Sequence, residues 1–243
     1  MGLTGETRSA NERNHLLHTP DAFVRTTLPG MTKATAVVHA APALGAGFMQ
    51  YTAEMEAGGT LGTALAGAQR FVYVLEGAVE VVEGKKSMLA AGGFAYLPTG
   101  EKHTVTAAKA SRLAVIEKMF TTGATAAQVV IGKEQNVEPT ALNGDEWLQV
   151  RALLPESAGM DFAVNTMEYQ PGAGLSQVEV HVMEHGLLML EGGGIYRLGE
   201  KWYSVEKGDF IWMGAYCPQW FGAIGKVPAK YLIYKDLNRH PLG

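Results

Sequence analysis

The feature that most constrains this chain is that it repeats itself. Leu75-Glu76-Gly77 reappears as Leu190-Glu191-Gly192, 115 positions on, each time after an apolar run and before a further stretch of strand character. Gly92-Gly93-Phe94-Ala95-Tyr96-Leu97 then matches Gly208-Asp209-Phe210-Ile211-Trp212-Met213 at an offset of 116, the extra residue falling in the intervening turn. Two matches at nearly one long offset mean two copies of a single structural unit. The 243 residues are therefore expected to form two domains, 1–137 with an N-terminal arm and 138–243, with the boundary at Val137-Glu138-Pro139-Thr140.

Each copy reads as β structure. The chain holds 30 glycines, and apolar runs of roughly five to eight residues recur between Gly, Pro and charged turns, a spacing that favours short strands. FVYVLEGAVEVVEGKKSML (71–89) gives a buried run, a Glu-Gly turn, then alternation through Val79 and Val81. The expected class is all-β with few short helices, the best helical candidates being Gly123–Val130 and Asp145–Leu153 between the copies.

Charge and cysteine content narrow the partners. A formal net charge of −4 with scattered Lys and Arg offers no basic stripe for a phosphate backbone or an anionic membrane, so no nucleic acid and no membrane is expected. Cys217 is the sole cysteine, so no intrachain disulfide can form. The first residues, MGLTGETRSANERNHLL, lack the apolar core of a signal peptide, and no window approaches the ~20 apolar residues of a membrane span. Met1-Gly2 opens like a myristoylation signal, but Glu6 stands where Ser or Thr is wanted. The expected location is the cytoplasm.

The chemistry concentrates in QVEVHVMEHGLLMLEGGG (177–194). Read as a strand, it turns Glu179 and His181 to one side and Val178, Val180 and Val182 to the other, and His185 follows just before Gly186, where a returning chain could bring it to the same point. Carboxylate and imidazole without thiolate suit a divalent first-row metal. Gln219 lies where the repeat puts His103 in the first copy. The residues alone leave it two readings, a fourth ligand or an amide that bonds loop backbone. The first copy has Ala64, Ala66 and Arg70 at the positions of Glu179, His181 and His185, and one remaining histidine will not hold a metal. That copy reads as structural.

In KYLIYKD, alternation sets Tyr231, Ile233 and Lys235 on one face and Leu232 and Tyr234 on the other. An inward lysine is costly unless it meets an anion, which a small carboxylate-bearing substrate would supply. Cys217 has no evident partner base and reads as a packed thiol. Glu184 alternates away from His185 and reads as a surface group. His15, His18, His39 and His240 form no ligand spacing.

Residues 179–192 and 208–219 carry the spacing of the two motifs of the cupin superfamily, with Glu179, His181 and His185 in the ligand slots of the first, Gly192 closing it, and Gln219 in the histidine slot of the second. Together with HGLLMLEGGGIYRLGEKWYSVEKGDFIWM, PQWFGAIGK, YLIYKDLNRHPL and, more weakly, Arg13-Asn14-His15 and AYLPTGEKH, the chain resembles the (S)-ureidoglycine aminohydrolase family of bicupins over nearly its whole length. The resemblance implies two tandem cupin barrels of the jelly-roll type and one Mn2+ in the C-terminal barrel. It places metal ligands on Glu179, His181, His185 and Gln219, and substrate contacts on Tyr196, Tyr231 and Lys235. It also implies a homo-oligomer and a reaction converting (S)-ureidoglycine to (S)-ureidoglycolate and ammonia in purine and allantoin catabolism. Glu179 and Lys235 are the candidate proton carriers, and the sequence does not choose between them. Another metal-dependent cupin enzyme, an isomerase or dioxygenase, and a non-catalytic small-ligand-binding bicupin are the alternatives that the residues leave open.

Overall fold

A glycine that cannot be replaced explains why the repeated Leu-Glu-Gly recurs. Gly77 and Gly192 both have positive φ, +88° and +60°, and a Cβ there would lie 2.3 Å from Ser111 Oγ in one copy and 2.3 Å from Pro228 O in the other. Each therefore turns one strand into the next where a neighbouring chain passes too close for any side chain. The strands they join are Ala68–Glu76 to Ala78–Glu83, and His185–Glu191 to Gly193–Leu198.

The computed structural model describes residues 5–100, 102–121, 127–154 and 159–237. Among them there is no α-helix. The helical elements are three 3-10 turns at Pro20–Ala22, Pro42–Leu44 and Glu134–Asn136, so the all-β class expected from the sequence is the observed one. Asp145–Leu153, read as helical, is instead part of the strand Asp145–Leu154, paired between Thr140–Leu142 and Phe162–Tyr169. Its Glu, Leu, Gln, Arg and Ala favour a helix only weakly, and two partner strands outweigh that preference. Of the other helical candidate, residues 123–126 lie outside the described residues, and the remainder leads into the strand Val130–Lys133. No helix among the described residues is long and apolar enough to cross a membrane.

The chain divides into two compact units, Val24–Glu138 with Glu156–Asp161, and Pro139–Pro155 with Phe162–Gly243 and Met1–Phe23. The first unit is a ten-stranded sheet wrapped around buried residues such as Val72, Val79, Val81, Leu97, Leu113 and Val115. The second has an eight-stranded sheet and a three-stranded one. Met167, Leu187, Met189 and Ile233 from the larger sheet and Tyr196, Leu198, Val205 and Phe221 from the smaller share one core. Phe221 meets the rings of Tyr169, Tyr196 and Tyr231 at centroid distances of 4.9, 5.4 and 5.7 Å, within the range where aromatic pairs stabilise beyond their buried area.

The N-terminal arm corrects the expected division. It was assigned to the first domain by its place in the chain, but it packs with the second unit. His15–His18 pairs antiparallel with Phe210–Met213, the edge strand of the second barrel, and Ala10–Glu12 pairs with His15–His18 in turn. Arg8 clamps the fully buried Asp209 with two parallel bonds of 2.9 and 2.8 Å, a charge-assisted fork that the first barrel, with Gly93 in place of Asp209, cannot make. Covering the edge strand in this way also removes an open row of backbone donors and acceptors.

Candidate metal and substrate site

Strand pairing brings the donors together. Glu179 and Gln219 exchange backbone bonds of 2.8 and 3.0 Å across an isolated bridge, so the segment before His185 lies against the start of the strand Gln219–Ala223. Gln219 Nε2 and His185 Nε2 stand 2.9 and 3.2 Å from His181 Nε2. The Glu179 carboxylate is 3.9 Å from the same nitrogen. His181 Nδ1 lies 3.0 Å from the carbonyl oxygen of Met183. A carbonyl only accepts, so Nδ1 carries the proton and the Nε2 lone pair faces the cluster.

The set fits a divalent cation. Metal bonds of about 2.1 Å at right angles would put neighbouring donors about 3 Å apart, close to the 3.2 Å between His181 Nε2 and His185 Nε2. Gln219 Nε2 is placed to donate to the His181 lone pair, and turning the amide over would put its acceptor oxygen, the atom that can ligate a cation, at the same point. Burial, with His181 and Lys235 nearby, pushes His185 down to about 3, so it is a neutral base ready to ligate at pH 7. Among the described residues no three His, Cys, Asp or Glu side chains converge by themselves as a metal group. The cluster is completed by the Gln219 amide, with Glu179 set back.

The expected strand through residues 177–184 is not formed. Outside its bridge to Gln219 this segment is irregular, and Val178 and Val180 are 38% and 55% exposed instead of buried. Alternation was right about the inward residues, but the opposite face meets solvent because no second layer covers it. Glu184 is half-buried and accepts a bond of 3.0 Å from the Trp212 indole. Cys217 is buried and its thiol is pushed up by burial, which leaves it protonated and inert.

A cavity of about 110 Å³ adjoins the donors, with Glu179, His185, Gln219, Tyr196, Tyr231 and Lys235 in its wall. It is far below the size of a drug-sized site, so only a small molecule fits. The structure thus gathers all the residues singled out for ligation and substrate contact. Tyr231 OH lies 2.6 Å from Tyr169 OH. Burial raises Tyr169, Tyr196 and Tyr231 well above the ordinary phenol value, so all three hydroxyls keep their protons. Asn165, Met167 and Tyr169 were missed. The alternation of FAVNTMEY puts them on one face, a signal that was available once that segment was read as a strand.

In the first barrel the corresponding point is filled by a side chain. Arg70, in the His185 position, bonds Glu117 Oε1 at 2.7 Å, the Gly62 carbonyl at 2.8 Å and His103 Nε2 at 3.1 Å. Tyr51 OH donates to the same Glu117 oxygen.

Residues 165–234 match the model of the Cupin domain family, and residues 43–120 that of the EutQ-like cupin domain. An (S)-ureidoglycine aminohydrolase of Arabidopsis thaliana is 39% identical over 243 residues, covering 99% of this chain and 81% of that protein. One from Escherichia coli is 33% identical over 233 residues, covering 93% and 89%. A solved structure described as protein Ylba from E. coli superposes with a TM-score of 0.85 at 31% identity, covering 96% of each chain.

Proposed function

This chain belongs to the (S)-ureidoglycine aminohydrolase family of bicupins, and from that premise we propose that it hydrolyses (S)-ureidoglycine to (S)-ureidoglycolate and ammonia with a manganese ion. The observation that carries the reading is that the donors Glu179, His185 and Gln219 share one small cavity with Lys235, Tyr196 and Tyr231. Glu179, His181, His185 and Gln219 would hold the ion, which when bound supplies Lewis acidity to polarise a ligand or lower the pKa of water.

The remaining work falls to this chain's own groups. The substrate carbon bears a carboxylate, an amine and a ureido nitrogen. Its C–N bond to the amine breaks and a C–O bond to water forms. Lys235, in register with His185 on the adjoining strand, pairs with the substrate carboxylate and fixes which face of the carbon meets the donors. The Tyr196 and Tyr231 hydroxyls, kept protonated by burial, donate to substrate oxygens. The reaction requires one proton delivered to the departing amine and one removed from water. The Lys235 ammonium supplies the first and the Glu179 carboxylate accepts the second. The apolar part of the wall, with Met167, Leu175 and Ile233, excludes bulk water from the reacting carbon.

The same reading places the protein in the cytoplasm as a homo-oligomer acting on a small molecule of purine and allantoin catabolism. Its test is to add manganese-loaded protein to freshly generated ureidoglycine and follow ammonia and product chirality. Release well above the spontaneous rate with (S)-ureidoglycolate as product is expected. Decay at the spontaneous rate to a racemic product overturns it.

A further inference from the structure

We propose that Asn165 reads the terminal amide of the substrate's ureido group and so sets specificity, an inference that rests on the ureidoglycine reading above. The strand Phe162–Tyr169 lies beside Ala229–Asp236 with Ala163 in register with Lys235, Asn165 with Ile233 and Met167 with Tyr231. Asn165, Met167, Tyr231, Ile233 and Lys235 are all in the cavity wall. The strand pair therefore presents one continuous surface to the ligand, with the Lys235 ammonium at one position and the Asn165 carboxamide on the neighbouring strand.

Asn165 is half-buried, and its carboxamide makes no hydrogen bond to any described residue. The Asn165 amide is therefore open to the cavity, with its donor and acceptor available to a molecule that enters. The other polar groups there already have tasks. Glu179, His185 and Gln219 belong to the donor cluster, the Tyr196 and Tyr231 hydroxyls donate to substrate oxygens in the reading above, and Lys235 matches a carboxylate. The end of a ureido group is a planar C(=O)NH2, an acceptor beside a donor. A carboxamide offers the complementary donor beside an acceptor, and Asn165 is the one in the wall that lies outside the donor cluster.

The consequence is discrimination against molecules that share the amino-acid end but lack the terminal amide. A site built to bond a group rejects the analogue without it, because its own polar atoms are then left unpaired. The test compares (S)-ureidoglycine with its acetamido analogue, in which a methyl replaces the terminal amine. The wild-type protein is expected to prefer the ureido compound. Asn165→Leu should lower kcat/KM for it by roughly 10- to 100-fold, chiefly through KM, while turnover of the analogue stays near wild type, so that the preference collapses. Asn165→Asp, close in shape, should lose the donor and show an intermediate loss. Calorimetric binding of (S)-ureidoglycolate should weaken by the same factor in Asn165→Leu, with manganese content unchanged.

Equal losses on both substrates would mean a packing role and overturn the inference, as would wild-type kcat/KM in Asn165→Leu. If the wild-type protein itself releases no ammonia from ureidoglycine, the substrate reading falls and the role of Asn165 falls with it.

Discussion

At the point where the second barrel sets His185 beside Lys235, the first sets Arg70 beside Glu117. The strand register is the same and the chemistry is inverted. In the proposed reading the second barrel offers the imidazoles of His181 and His185, the Glu179 carboxylate and the Gln219 amide to a cation that would come from outside. The first carries its own cation, covalently attached, and meets it with a carboxylate, a backbone carbonyl and the ring of His103. A guanidinium has a fixed fork of N–H donors and no open coordination place. The first barrel can therefore stabilise its interior by this means but cannot bind or polarise a substrate there. The two copies share their strands, but all four positions that hold Glu179, His181, His185 and Gln219 in the second carry other residues in the first, Ala64, Ala66, Arg70 and His103.

Metal content distinguishes the two pockets most strongly. His185→Ala should reduce bound manganese to background and ammonia release by at least about a hundredfold, whereas Arg70→Met should leave manganese content unchanged. Elemental analysis of both purified variants decides the matter. Metal kept in the first variant or lost in the second would show that the two pockets do not divide the work in this way.

Stability gives the next largest effect. Arg70→Met leaves the Glu117 carboxylate, whose side chain is only 16% exposed, without its cation, and should destabilise the protein by about 3–5 kcal/mol. The double variant Arg70→Met/Glu117→Leu should recover most of that, since replacing both partners of a buried pair by apolar groups is close to neutral. Denaturant midpoints measure both. A single variant as stable as wild type would remove the picture of a built-in cation.

A smaller effect separates the barrels by pH. His185 titrates near 3 in the fold and near 6.5 in an unfolded chain. Between those values the unfolded state binds the extra proton, so stability falls as pH drops below about 6.5 and levels off near 3. In chelator-treated protein the loss at pH 5 should be about 2 kcal/mol. Arg70, which takes the place of His185 in the first barrel, keeps its charge over this range. Unfolding of wild type and His185→Gln at pH 7 and pH 5 tests this, and an equal slope in both would assign the pH dependence elsewhere.

Much of this was legible in the sequence because repetition and alternation act locally. The offset between the two Leu-Glu-Gly turns located the strands of both barrels, and alternation in KYLIYKD put Tyr231, Ile233 and Lys235 on one wall, where they stand. What was not legible depended on contacts made far along the chain. Nothing near Asp145–Leu154 announces the two strands that flank it, and nothing in the first residues announces Asp209. Alternation put Val178 and Val180 on the face opposite Glu179 and His181, but periodicity reports only that two faces differ, without saying which one another layer will cover, and both valines are exposed. Arg70 read as the loss of a ligand, since a linear pattern records a missing histidine and cannot see a guanidinium reaching the same place.

The arm that closes the edge of the second barrel also fixes an order of events during synthesis. His15–His18 leaves the ribosome well before its partner strand Phe210–Met213, which follows roughly 190 residues later. At 5–20 residues per second that is a wait of about 10–40 s. The first barrel can complete its pairing in that interval. The arm has no partner strand until Phe210–Met213 is made, so its docking is a late, long-range closure. Until then its strands are available to any other exposed edge, including one on a neighbouring nascent chain.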